Sequence, residues 1–168
     1  MSSETITTAL FLITAVIAAA VLISAIFPVI YQMTGTFAAA GHASDQELRT
    51  NIQIVLDVAN QSQYVRVWMK NTGSARIAAA DIQRSDVFSG DINNFNKLTL
   101  NEAGPLVNGQ WSYTLSDLNS NNFWDPGETL EIDAYTTTIV PTDQVYFQFV
   151  LPSGISTSDQ FSVTVPPA

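Results

Sequence analysis

Twelve consecutive residues, Asp117 to Glu128 (DLNSNNFWDPGE), crowd oxygen-bearing side chains into one short segment. Numbered as a calcium loop, Asp117, Asn119 and Asn121 stand at positions one, three and five. Phe123 offers its carbonyl at seven, Asp125 stands at nine and Glu128 closes the loop at twelve. Calcium takes roughly six to eight hard oxygens from a tight turn, and this alternation supplies an oxygen at every ligand position. Asn122 replaces the glycine usual at position six, and asparagine tolerates left-handed backbone. Pro126 and Gly127 replace the start of an exiting helix, and the residues after Glu128 read as a strand. The competing reading is an Asn-rich turn closed by its own side-chain hydrogen bonds, with no ion.

No other chemistry is assembled by the sequence. His42 is the single histidine and cysteine is absent, so no catalytic triad, multi-histidine metal centre, thiolate site or disulfide forms within one copy. There is no nucleophile elbow, phosphate-binding glycine loop or dinucleotide fingerprint. The chain reads as a structural or interaction protein and not as an enzyme. Six basic residues face fifteen acidic ones, for a net charge of −9. Lys97 is the last cation, which argues against nucleic acid and suits a divalent cation or a basic partner. Trp68, Trp111 and Trp124 with Tyr64, Tyr113 and Tyr146 have two readings: core and strand-face packing, or an adhesive patch.

The elements that must carry this loop fall into two parts, divided near residue 45. Thr5 to Ser44 contains no Asp, Glu, Lys or Arg. Ile6 to Tyr31 is apolar on every face, and as a helix of about 26 residues it spans roughly 39 Å, more than a hydrocarbon core of about 30 Å. A cleaved secretory signal wants a basic start, and MSSE offers none, so Glu4 is expected to stay. Thr7, Thr8, Thr14 and Ser24 are placed to bond back to helix carbonyls. Pro28 is expected to kink the helix or end its membrane portion. The small residues after it, through Gly35 and Gly41, read as a helical stalk able to pack closely against another helix.

From Arg49 onward the hydrophobic period becomes two. Ile52, Ile54, Leu56 and Val58; Val65, Val67 and Met69; Leu130, Ile132 and Ala134; Val145, Phe147, Phe149 and Leu151; and Phe161, Val163 and Val165 each alternate with other residues. With Ala75 to Ile82 and Trp111 to Leu115 this makes about seven short strands between turn signals, the pattern of an antiparallel sandwich. Pro166 and Pro167 end the last. The expected organisation is residues 1–45 as hydrophobic helix and stalk and 46–168 as an extracytoplasmic β-sandwich. No cation precedes the span, so charge does not orient it. The acidic, Asn-rich β region places the C-terminal part outside.

Four segments in this order carry a resemblance: SSETITTALFLITAVIAAAVLISAIFPVIYQMTGTF, VRVWMKNTGSARI, FWDPGETLEI, and VYFQFVLPSG with SDQFSV after it. Together they resemble the archaeal flagellar (archaellum) protein G family, related to archaellins and pilin-like proteins, over nearly the whole chain. The resemblance implies a pilin-like helix, an immunoglobulin-like sandwich outside the membrane, and a stator subunit linking the motor to the cell envelope. It implies partners as well: further copies, a sister flagellar subunit and the surface-layer protein. It brings no catalytic residues. Two alternatives stand beside it. One is a filament-forming archaellin, extracellular and packed by its helix, although the basic-plus-glycine processing site is missing. The other is a membrane-anchored, calcium-dependent adhesion or carbohydrate-binding domain.

Overall fold

The computed structural model describes residues 2–60, 63–139 and 144–164 and contains two compact units, Met1–Asp45 and Gln46–Ala168. Val165, Pro166 and Pro167 lie outside the described residues, as does the side chain of His42.

Helix α1 runs Ser2–Arg49. Its own hydroxyl side chains bond back to its backbone. Thr7, Thr8, Thr14, Ser24 and Thr36 each donate to the carbonyl four residues back, at 2.7–2.9 Å. Pro28 sits inside the helix, which continues past it to Arg49. Proline withholds one N–H from the helix ladder, and the strong helix formers Ala and Leu precede it in sequence.

The second unit is all β apart from one turn of helix. Its strands are β1 Ile52–Asn60, β2 Tyr64–Asn71, β3 Ile77–Ala78, β4 Asp86–Asp91, β5 Asn94–Leu100, β6 Gln110–Leu115, β7 Phe123–Trp124, β8 Thr129–Tyr135, β9 Gln144–Val150 and β10 Ser156–Thr164. Strands β1-β2-β8-β6 form one antiparallel sheet and β10-β9-β4-β5 the other. Short parallel pairings join them along both edges: β1 with β10 at Ala59–Val163 and Asn60–Thr164, and β5 with β6 at Thr99–Gln110 and Leu100–Trp111. The antiparallel sandwich read from sequence is therefore a ring of eight strands with two parallel corners. Closure leaves short free edges only, which protects the domain from edge-to-edge association.

The core is as patterned. Val65, Val67 and Met69, Leu130 and Ile132, and Val145, Phe147 and Phe149 are buried together with Trp111 and Trp124, whose ring meets Phe149 edge-on at 6.5 Å. In β1 the alternation fails. An irregularity in pairing between Ile54 and Leu56 turns Val55 and Leu56 to solvent, and Ala59 takes the inward place. Ala75 to Ile82, read as one strand, instead splits into β3 and helix α2 Ala79–Gln83, since consecutive alanines favour helix. Strands β4, β5 and β7 were not legible in the pattern, and β10 starts at Ser156 rather than Phe161.

Candidate functional site

The loop from Asp117 to Glu128 leaves β6, forms β7 and returns into β8, with Ser116 N–H bonding Thr129 carbonyl at 3.0 Å across its neck. Within it, Ser120 and Asn122 take left-handed backbone, at φ 55° and 61°. Asn122 thus supplies at position six the conformation for which glycine is usual. Asp117 accepts the N–H of Asn119 at 3.2 Å and of Asn122 at 2.8 Å. Asp125 Oδ2 accepts the amides of Asn119 at 2.9 Å and Asn121 at 2.7 Å. Asn121 Oδ1 takes Phe123 N–H at 2.8 Å. Glu128 is buried and spends both oxygens on backbone, Oε1 on Leu118 N–H at 3.0 Å and Oε2 on Asp125 N–H at 2.9 Å. The amides of Asn119 and Asn121 hold the Asp125 carboxyl below its ordinary value; a little desolvation opposes them and the Arg76 charge adds to them.

All six sequence-predicted residues therefore lie in one turn, and each of its carboxylates is met by N–H donors. Among the described residues no three Asp, Glu or His side chains converge as a metal cage.

Sequence reasoning missed the partner of this loop. Asn71, wholly buried at the end of β2, donates through Nδ2 to the carbonyls of Ala75 at 2.8 Å and Trp124 at 2.9 Å, and its Oδ1 accepts Gly73 N–H at 3.1 Å. Its N–H reaches Glu128 carbonyl at 3.1 Å, its carbonyl receives Gly127 N–H at 2.7 Å, and Trp124 Nε1 donates to Glu128 carbonyl at 2.9 Å. The Lys-Asn-Thr-Gly-Ser and Trp-Asp-Pro-Gly-Glu segments are thus one hydrogen-bonded knot. The signal was an Asn at an inward register of a strand, where a polar side chain is retained only if fully satisfied.

The Asn71–Ala75 turn also receives the chain end of α1. Ser74 and Ala75 donate to the Arg49 carbonyl at 2.7 and 3.1 Å, and Thr72 and Gly73 to Asn51 carbonyl at 2.9 and 3.0 Å. The two bonds to the Arg49 carbonyl satisfy one of the last helix carbonyls, which have no partner within the helix. Gly73 leaves room for this; a Cβ there would strike the Arg49 carbonyl.

The other candidate surface is α1 itself. From Ser3 to Ala38 it is long and apolar enough to cross a membrane by length and composition. Large apolar side chains from Ile6 to Phe37 are exposed on the helix, the kind of surface that marks a membrane or helix-packing site.

Of the six aromatic residues singled out, Trp111 and Trp124 are core. Trp68 and Tyr64 lie on the outer face of β2, where Trp68 Nε1 donates to Glu131 at 2.8 Å and the Tyr64 ring meets Tyr135 at 4.6 Å, tilted by 36°.

A long apolar helix followed by a closed β domain defines the class of helix-plus-β-domain structural subunits. The chain belongs to the archaeal-type flagellin family, which it matches over residues 2–161. It is a structural archaellum protein and not an enzyme. A protein of Archaeoglobus fulgidus with no described function is 26% identical over 167 residues, 96% of this chain and 99% of that one. The archaellum periplasmic stator protein FlaG of Sulfolobus acidocaldarius is similar in fold, with a TM-score of 0.53 and 22% identity over 67% of this chain and 99% of that one. The archaeal flagellum of Methanospirillum hungatei aligns with a TM-score of 0.68 and 12% identity, over 95% of this chain and 93% of that one.

Proposed function

We propose that this chain is a stator subunit of the archaellum, anchored in the cell membrane by α1 with its β domain outside, linking the motor to the envelope. The observation that carries it is the likeness in fold to FlaG, which this chain covers almost end to end, at 99% of that chain. The FlaG structure in complex with FlaF is similar as well, at a TM-score of 0.53, and supports a sister subunit as partner; surface-layer protein is the further partner proposed. The β domain is read as immunoglobulin-like. Its orders β1-β2-β8-β6 and β10-β9-β4-β5 correspond to A-B-E-D and G-F-C-C′ of that fold once the two-residue β3 and β7 are set aside.

The test is deletion of the gene with electron microscopy and swimming assays. A stator subunit predicts filaments that are assembled but do not drive swimming. Cells without filaments would instead favour the second reading, a filament subunit, which the match to the Methanospirillum hungatei flagellum along 95% of this chain supports.

Calcium in the Asp117–Glu128 loop stays a proposal, supported by oxygen donors at each ligand position and by left-handed Asn122. Melting with calcium and with chelator decides it. A calcium-dependent rise that Glu128→Gln abolishes supports the ion. A flat titration to about 10 mM, above the weakest extracellular sites, leaves only the hydrogen-bonded turn.

A further inference from the structure

Two side-chain oxygens of β4, Ser89 Oγ and Asp91 Oδ2, are buried and have no hydrogen-bond partner among the described residues. Ser89 stands opposite Phe147 and Asp91 opposite Val145 on β9, so both side chains share the face that Val87, Val145 and Phe147 turn into the core. Ser89 is wholly buried and Asp91 is 7% exposed. The other carboxylate oxygen, Asp91 Oδ1, accepts Asn93 N–H at 2.8 Å, which fixes the orientation of the group. Further hydroxyls come from the segment after β8. Thr136, also buried, and Thr138 hold their Oγ1 atoms 3.0 Å apart. A Cβ on Gly90, between Ser89 and Asp91, would lie 2.5 Å from Thr138 Oγ1. Glycine there is what admits this hydroxyl beside them.

We propose that these oxygens hold an alkali-metal cation, sodium being the type. Buried charges are paired or coordinate metals, and an orphaned polar atom in a native core calls for an ion or a water. Water would satisfy the hydroxyl but leave the carboxylate charge uncancelled, on a chain that already carries −9. A single positive charge cancels it. The donors are hard oxygens only, one carboxylate and neutral hydroxyls, which suits an ion of unit charge. Calcium takes roughly six to eight oxygens and gains affinity from several charged ligands, while magnesium keeps several waters, against the full burial of Ser89.

Residues two apart on a strand are separated by about 6.8 Å, and a hard cation takes each oxygen at about 2.4 Å, so one ion reaches both side chains. The site lies beyond the last residue of β8, whereas the Asp117–Glu128 loop precedes the first. It is therefore distinct from that loop, and it holds equally for a stator or a filament subunit.

The test uses the full-length protein in detergent micelles, with melting followed by the fluorescence of Trp68, Trp111 and Trp124, all in the β domain. Sodium chloride is exchanged for N-methylglucamine chloride at constant ionic strength. The melting temperature is expected to rise by about 5 °C between about 10 mM and about 1 M sodium, and the sodium NMR line to broaden on binding. Asp91→Asn, which keeps an acceptor for Asn93, is expected to abolish both effects. Ser89→Ala separates the two accounts of the hydroxyl. Without an ion it is an unsatisfied buried group, and its removal would raise the melting temperature equally in both salts. As a ligand, its removal moves the rise to about tenfold higher sodium, a change of roughly 1.4 kcal/mol. Melting indifferent to sodium, with no broadening, overturns the proposal, as does a rise that Asp91→Asn leaves intact. A rise with calcium in place of sodium, lost in Asp91→Asn and kept in Glu128→Gln, gives the site to a divalent ion and overturns it too. Should Asp91→Asn fail to fold, an unmoved sodium midpoint in Ser89→Ala overturns it alone.

Discussion

Glu128 and Asn71 show how much structure one buried polar side chain can hold. Each answers donors or acceptors from separate segments, and a buried backbone group left without its partner costs about 1–3 kcal/mol. Glu128→Ala orphans the N–H groups of Leu118 and Asp125 and should lower stability by about 2 kcal/mol or more in urea denaturation. Asn71→Ala orphans the carbonyls of Ala75 and Trp124 and the N–H of Gly73 and should cost a similar amount, about 2 kcal/mol. Loss below a few tenths in either variant would mean that water replaces these bonds. Asp125 behaves differently because it is only partly buried. Its lowered pKa means stability present above the ordinary value of 3.8 and lost as pH falls through the folded value, so Asp125→Asn should cost stability at neutral pH and progressively less in acid. The six-residue set in the Asp117–Glu128 loop was legible because side-chain type and spacing are properties of sequence. The direction of the carboxylates was not, because competing donors such as Leu118 N–H carry no side-chain signature.

At the level of elements, strands with strict alternation between core and solvent were legible: β2, β8 and β9 alternate through their length. Strands β4 and β5 were not, since Ser89, Gly90 and Asp91 are buried in place of hydrophobes, while β5 is largely exposed. Parallel corners were illegible too, because two-residue pairings leave no periodic trace. The β1/β10 corner carries a consequence of its own. Asp57 opposes Val67 and Asp159 opposes Phe147, so both carboxylates stand at core-facing registers of edge strands. Burial raises the Asp57 pKa, and the Asp159 charge and a shared hydrogen bond add to it. A raised carboxyl pKa means stability that is full below the ordinary value of 3.8 and lost as pH rises through the folded value. Asp57→Asn should therefore be more stable than the parent at pH 7, with the advantage fading toward about pH 4 in chemical denaturation. An advantage independent of pH would dismiss the carboxyl pair as its cause.

At the scale of the whole molecule, the length of α1 decides what can cover it. The apolar stretch Ser3–Ala38 has 36 residues, roughly 54 Å as helix. A bilayer core of about 30 Å accommodates some 20 of them, so roughly 24 Å of apolar helix lies beyond lipid if the helix stands upright. Met33 and Phe37 fall in that excess when Tyr31, whose ring stacks on Phe27 at 6.3 Å, sits at the headgroup level where tyrosine is enriched. A lone anchor would leave them in water, whereas a bundle of neighbouring helices would cover them. Single cysteines at Leu12, Ile23, Phe37 and Gly41, labelled with a membrane-impermeant maleimide on intact cells, read this directly. A lipid-anchored subunit predicts Leu12 and Ile23 protected, Gly41 labelled, and Phe37 labelled slowly because neighbours shield it. Equally rapid labelling of Phe37 and Gly41 would reduce α1 to a solitary anchor. Protection of all four positions in sheared, lipid-free filaments would put the helix in a filament core instead of a membrane and carry the chain from stator to filament.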